Sequence, residues 1–358
     1  MTSVPADVPA DAPAAVPATV PALAPPAEDG AVVVRVPFDA RATLAYLATH
    51  VVPGVETLTT DATAPTGTAS SATTSSGTVE RLVPDDDGGL LRLVVHLADD
   101  EVSARLVPVP GIGTRPPGAG ATSSARVVEL LDQWFGLGDD LAAVVEHLRD
   151  DDVLGPFVAA RPHLRVPGHV DAFEVAAQTV LGQQVSLAAA RTFTGRLADA
   201  LGPVRADGLT LFPSAAHVAA ADPDALREVL RVPASRARTL VGLARACADG
   251  LDLRATDDPD ATRAALVALP GIGPWTADYL ALRATGLRDA FPAGDLVLRQ
   301  ALGLDKPRDV EARAQGWSPW RAYAAQHLWS GTVLERLTRA AASPARRRST
   351  ARREPPPG

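Results

Sequence analysis

The stretch most suited to chemistry runs from Asp258 to Thr285. Asp258 is placed to cap a helix that Pro259 opens, the apolar run Ala264–Leu269 fills it, and Pro270-Gly271-Ile272-Gly273-Pro274 must break it. A second helix follows at once through Trp275, Tyr279 and Leu282. Helix, tight glycine turn, helix is a design for gripping phosphate. Glycines let the backbone approach closely, and the first N–H groups of the second helix are unpaired at the positive end of its dipole. The plainer reading, an ordinary helix–turn–helix corner, also fits this pattern. Pro110-Gly111-Ile112-Gly113 repeats the letters but leads into Pro116-Pro117 instead of a helix, so it is no second grip.

Two further features lie close by in sequence. Trp275 and Tyr279 are four residues apart and share one helical face. Asp295, preceded by Gly294 and followed by an apolar run, is a good helix N-cap. Core packing accounts for Trp317 and Trp320, and less well for Trp275, Tyr279 and Trp329 in a chain only 4% aromatic.

The elements that must position these residues fall into two regions. From residue 31 to 122 the pattern is short and mixed: an apolar run Ala31–Pro37, a helical stretch Arg41–His50, and strand-like runs at Val55–Thr60, Thr78–Val83, Leu90–Leu97 and Glu101–Val107. From 123 to 339 helical patterning dominates, with segments that include Ser123–Phe135, Asp171–Leu201 and Pro274–Thr285. The expectation is an α+β chain, a small antiparallel sheet domain followed by a mostly α-helical domain. Residues 1–30, rich in Pro and Ala, read as a disordered leader without the positive start of a secretion signal, and 340–358 as a basic disordered tail.

Composition bounds the chemistry. The 358 residues carry a net charge of −8, distributed as −14 over 1–160, 0 over 161–335 and +6 over 336–358. A broad DNA contact through the front half is therefore not expected. Cys247 is the only cysteine, which removes disulfides, cysteine-based zinc sites and cysteine-ligated clusters together. Apolar residues make up 46% without one uncharged run long enough to span a membrane, and a cytoplasmic monomer is the expectation. Lys306 is the only lysine among 34 basic residues.

Leu269-Pro270-Gly271-Ile272-Gly273-Pro274-Trp275-Thr276-Ala277-Asp278-Tyr279 with Asp295 beyond it resembles the helix-hairpin-helix DNA glycosylases, most of all the bacterial 3-methyladenine DNA glycosylase II branch. Val180-Leu181-Gly182-Gln183-Gln184-Val185-Ser186, Trp317–Ala324 and His327-Leu328-Trp329 fit the same pattern in order, so that the likeness spans about Val33 to Glu335. The resemblance implies base-excision repair: hydrolysis of the N-glycosidic bond of alkylated purines in double-stranded DNA after base flipping. It implies Asp295 as the catalytic carboxylate, Trp275, Tyr279 and Trp329 as the base pocket, and the hairpin 259–285, through Leu269, Pro270, Gly271, Ile272 and Gly273, as the DNA grip. Gln184 matches the wedge that fills the vacated gap. No cofactor is implied beyond a monovalent cation, Na or K, on the main-chain carbonyls of Val267, Leu269 and Ile272.

Electron-rich rings suit a base made cationic by alkylation. Bifunctional relatives carry a lysine where Trp275 stands, so a lyase step is not expected. Asp278 replaces an Asn of similar proteins and puts a negative charge near the phosphate. A non-enzymatic protein that binds DNA structures through the hairpin, and a glycosylase for deaminated or oxidised purines, are the alternatives.

Overall fold

The computed structural model describes residues 31–61, 76–85, 88–111, 124–254 and 257–342, with side chains up to 331. The leader 1–30, most of the Ser/Thr loop after Asp61, Ile112-Gly113 and the basic tail from 343 lie outside the described residues. Among those described, β1 (Val32–Arg35), α1 (Ala40–His50), β2 (Glu56–Thr60), β3 (Gly77–Pro84), β4 (Leu90–Ala98) and β5 (Glu101–Pro108) come first. The five strands form one antiparallel sheet in the order β1-β5-β4-β3-β2. Alternation decides which face is buried: Leu91, Leu93, Val95 and Leu97 of β4 point to one side, where Leu44 and Leu47 of α1 meet them. Asp39 starts α1 by accepting the Ala42 N–H. Helix α2 (Ser124–Phe135) lays Val127, Leu131 and Trp134 on this same core.

The remainder is helical: α3 (Leu141–Leu148), α4 (Gly155–Ala160), α5 (Ala172–Gly182) and α6 (Leu187–Leu201), then a small hairpin of β6 (Arg205–Ala206) and β7 (Leu209–Thr210). After it come α7 (Ala215–Ala219), α8 (Pro223–Leu230), α9 (Ala234–Ala248), α10 (Pro259–Ala268) and α11 (Pro274–Leu280), which runs on into a π-helical turn (Ala281–Thr285). The last are α12 (Leu296–Leu302), α13 (Pro307–Ala314) and α14 (Arg321–Ala342). The chain is thus α+β as its patterning predicts.

The continuous helical pattern 171–201 is two helices. Gln183 ends α5 with extended ψ, Gln184 takes the left-handed φ of +55°, and Ser186 caps α6 by accepting the Ala189 N–H. Periodicity does not register such a break, because α5 is buried on nearly every side and has no narrow apolar stripe whose phase the break could shift.

The helices divide into two cores. One gathers α5, α6, α8 and α9 with Ile272, Ala277 and Leu280 of the hairpin, and the other gathers α3, α4 and α12–α14 with Leu282 and Phe291. The chain from α11 through the π-turn passes from the first to the second. Sheet and helices are tied by a buried charge cluster in which Arg81 of β3 bonds both Glu56 of β2 and Glu174 of α5. All three are under 8% exposed. Among the described residues, no helix is long and apolar enough to cross a membrane.

Replacing Arg81 by Met removes the cation and leaves two buried carboxylates facing each other, at a cost of about 3–5 kcal/mol. The urea midpoint of Arg81→Met should fall accordingly. An unchanged midpoint would mean that the cluster does not hold the sheet to the helices.

Candidate active site

Asp295 stands at the N-cap of α12, where its Oδ1 accepts the N–H groups of Val297 at 2.9 Å and Leu298 at 3.0 Å. The same oxygen accepts the indole N–H of Trp329 at 3.1 Å, and Oδ2 accepts that of Trp275 at 3.2 Å. Every contact is a donor, so the carboxylate is held as a pure acceptor and its orientation is fixed from three elements, α11, α12 and α14. Oδ1 accepts three donors and Oδ2 one, and Asp295 borders a cavity of about 320 Å³. The N-cap role and the expected place in a site coincide in one residue.

Trp275 and Tyr279 stack at 5.5 Å with 22° between their planes, and Tyr279 meets Trp329 edge-on at 6.0 Å. The two tryptophans expected as pocket walls thus also grip the carboxylate, a role that spacing alone does not convey. Trp317 and Trp320 are core residues as expected, 1% and 6% exposed.

The sheet domain walls the cavity too. Tyr46 and His50 from α1, Glu56 from β2 and Trp134 from α2 line it together with His169, Gln178, Arg283 and the residues already named. Three of the five tryptophans and two of the three tyrosines therefore face one cavity, which concentrates the chain's few large rings at this place.

Arg283 is the residue that sequence reasoning missed. The π-turn carries it under the rings, where its guanidinium carbon lies 5.0 Å from the Tyr46 centroid, 5.5 Å from Tyr279 and 5.1 Å from Trp329. It donates to Pro167 O at 2.6 Å and to Gln326 Oε1 at 3.0 Å. The ring quadrupoles expected to attract a cationic base are in this way already shared with a protein cation. Of the three expected rings, Trp275 alone has no arginine over it among the described residues.

Glu56, His169 and Glu174 bring ligand atoms within 4.8 Å of one another, the spacing of a metal site. Arg81 bonds both carboxylates, so the cation of this cluster is a guanidinium. Burial, with Arg81 close by, pushes the His169 imidazole down to about 4. Burial likewise lowers His50 to about 4, and His327, within α14, to about 3.

At the hairpin, Gly271 has φ +88° and Gly273 has φ −94°. A Cβ on Gly271 would come within 2.0 Å of Thr239 Oγ1, which donates to Pro270 O, whereas one on Gly273 would meet nothing within 4 Å. Only Gly271 requires glycine for its backbone. Gln183 donates to Gly271 O at 3.0 Å and to Thr276 Oγ1 at 3.1 Å, tying the loop that bears Gln184 to the hairpin. Asp278 accepts from Arg263 Nε at 2.6 Å, so the charge that could oppose phosphate is paired across the hairpin. The Leu269 carbonyl already accepts the Ile272 N–H. Lys306 is exposed at the start of α13 and does not line the cavity.

Two outcomes follow from this geometry. Gly271→Ala should lower the thermal midpoint by several degrees, an effect of about 1–3 kcal/mol. Gly273→Ala should leave the midpoint unchanged and weaken binding to a duplex with an abasic analogue; equal midpoints for the two variants contradict the assignment. For the three histidines, the unfolded chain takes up protons below about pH 6.5 that the folded one refuses, so stability declines as pH falls from about 6.5 towards 4. His327→Leu should flatten that decline between pH 7 and pH 5 in thermal melts, and an unaltered slope would show that His327 titrates normally.

The family model described as "AlkA N-terminal domain" matches residues 31–171, and that described as "HhH-GPD superfamily base excision DNA repair protein" matches 177–321. DNA-3-methyladenine glycosylase 2 of Escherichia coli is 41% identical over 180 residues, 49% of this chain and 63% of that protein. A protein of Mycobacterium tuberculosis named "Probable bifunctional transcriptional activator/DNA repair enzyme AlkA" is 45% identical over 223 residues, 60% of this chain and 43% of its own length. DNA-3-methyladenine glycosylase of Bacillus subtilis is 30% identical over 218 residues, 57% of this chain and 71% of that protein. Among solved structures, 3-methyladenine DNA-glycosylase from Archaeoglobus fulgidus shares the fold at a TM-score of 0.62 and 18% identity, covering 83% of this chain and 96% of that one. The chain spans less than two thirds of the length of the first two of these relatives. Two adjoining family matches and a relative matched over most of its own length place this chain in the family of helix-hairpin-helix 3-methyladenine DNA glycosylases.

Proposed function

We propose that the protein hydrolyses the N-glycosidic bond of alkylated purines in double-stranded DNA. The observation that carries this reading is Asp295, held by two indoles and a helix N-terminus at the edge of a ring-lined cavity. The names of the relatives support the same reaction.

In this mechanism the hairpin Leu269–Gly273 anchors the backbone and the target nucleotide rotates out of the duplex at a cost of a few kcal/mol. Gln184 stands on the loop tied to the hairpin and fills the gap. The base stacks among Trp275, Tyr279 and Trp329. As the C1′–N bond breaks, its electron pair stays with the base, so an alkylated cationic purine departs neutral without a general acid. Asp295 stabilises the positive charge that develops on the sugar, and water adds at C1′ and loses a proton. Among the described residues, none lining the cavity offers an amine for a Schiff base, which favours a monofunctional hydrolase. A monovalent cation on the Val267, Leu269 and Ile272 carbonyls would assist the hairpin and takes no part in the chemistry.

Asp295→Asn keeps the helix cap and removes the charge. Single-turnover release of 3-methyladenine should then fall by the equivalent of about 2.7–4 kcal/mol or more, with affinity for an abasic-analogue duplex retained. Borohydride should trap no adduct with the wild type. Near-normal release by Asp295→Asn would end the catalytic role, and DNA binding without release of any base by the wild type would leave a DNA-structure-binding protein. Since Arg283 shares their rings, Tyr279→Ala and Trp329→Ala should lower release of 3-methyladenine and of neutral hypoxanthine alike. A loss confined to the cationic base would return the selection to these rings.

A further inference from the structure

His50 lies on α1 in the sheet domain, one turn after Tyr46, and lines the same cavity as Asp295 and its tryptophans. Its ring stacks on Tyr46 with 4.0 Å between centroids and 22° between planes. Nδ1 is 2.8 Å from the Tyr46 carbonyl oxygen and 2.9 Å from Thr49 Oγ1. A carbonyl oxygen can only accept, so Nδ1 carries the proton. The Thr49 hydroxyl gives its own hydrogen to the Tyr46 carbonyl at 2.8 Å, which turns an oxygen lone pair towards Nδ1–H. Enclosure in the cavity wall, with Arg283, Arg191 and His169 around it, keeps the imidazole neutral down to about pH 4. The tautomer is therefore settled, and Nε2 is an acceptor with no partner among the described residues.

Most of the N–H donors that line this cavity are engaged elsewhere, although Arg283 Nε has no partner among the described residues. Trp275 and Trp329 give theirs to Asp295, Gln178 to Glu174, Arg283 to Pro167 O and Gln326, and Arg191 to Val51 O and Ala48 O. At Nε2 of His50, an acceptor, a base entering the cavity must supply the donor itself. Purines differ at this point: the 6-position of an adenine carries an amino group, a donor, whereas that of guanine or hypoxanthine carries an oxygen, an acceptor.

We propose that His50 determines base specificity by accepting a hydrogen bond at Nε2 from the 6-amino group of the flipped purine, so that adenine-derived lesions are released in preference to 6-oxo lesions. The inference rests on the glycosylase reading above and adds the lesion class to it. An oxygen placed against Nε2 sets two acceptors face to face and leaves both without a hydrogen. Sites that bond a substrate N–H discriminate more strongly than apolar pockets do, because the wrong substrate leaves a polar group unpaired.

Methylated duplex DNA carries 3-methyladenine and 7-methylguanine together, so one reaction with the full chain reports both. Single-turnover rates of release, read by chromatography, are compared for wild type, His50→Phe and His50→Gln. The Phe variant keeps a ring on Tyr46 without the acceptor, and the Gln variant offers an amide N–H as well as a carbonyl. His50→Phe should lower release of 3-methyladenine at least tenfold and that of 7-methylguanine less than threefold. His50→Gln should shift the ratio towards 7-methylguanine at least threefold. A ratio unchanged from wild type in both variants overturns the role of His50 while the glycosylase reading stands. A wild type that releases neither base overturns that reading, and this proposal with it.

Discussion

Four N–H groups converge on one carboxylate, and most of the molecule can be understood as what is needed to bring them there. The two backbone donors come from the start of α12, one indole from α11 and the other from α14. These helices belong to different packing groups: α11 adds Ala277 and Leu280 to one helical core, and α12 and α14 build the other. A shift of either core against its neighbour would pull an indole off the carboxylate. The side chain is thus as rigid as the junction between two cores, the fixed orientation that the proposed reaction asks of its carboxylate.

The sheet domain enters the same arrangement through charge as well as packing. Arg81 joins a strand pair to α5 through Glu56 and Glu174, and this cluster stands behind the cavity wall formed by Glu56 and His169. Arg283 closes the wall from the other side beneath Tyr46, Tyr279 and Trp329. The domain whose acidity argued against a broad DNA contact supplies Tyr46, His50 and Glu56 to the site. Its contribution is to the walls of the pocket.

Much of this was legible in the sequence because it is local. The glycine turn at Pro270–Pro274, the i, i+4 pair Trp275 and Tyr279, and Asp295 as an N-cap each follow from spacing within a few residues, and the strands of the front domain follow from alternation. What was not legible depends on contacts between distant positions. The Arg81–Glu174 pair is 93 residues apart, and Trp329 reaches Asp295 across 34. Arg283 reads as one more arginine on a helix until the π-turn sets it under the rings. The break at Gln184 left no mark in the hydrophobic period because α5, buried on nearly every side, carries no narrow stripe whose phase could change there. His50 carried a weak signal, a histidine one turn from one of only three tyrosines, but nothing local shows that α1 faces a cavity built mainly by another domain.

The central claim is that the indole N–H groups orient Asp295, beyond the stacking area of their rings. Trp329→Phe keeps an aromatic ring and deletes one donor, so single-turnover release of 3-methyladenine, measured with this change made in the wild type and again in Asp295→Asn, isolates the hydrogen bond. The account predicts a loss of about tenfold or more, or about 1.4 kcal/mol, when Asp295 is present and little further loss once it is replaced by asparagine. Full activity in Trp329→Phe, or the same loss in both backgrounds, would contradict it.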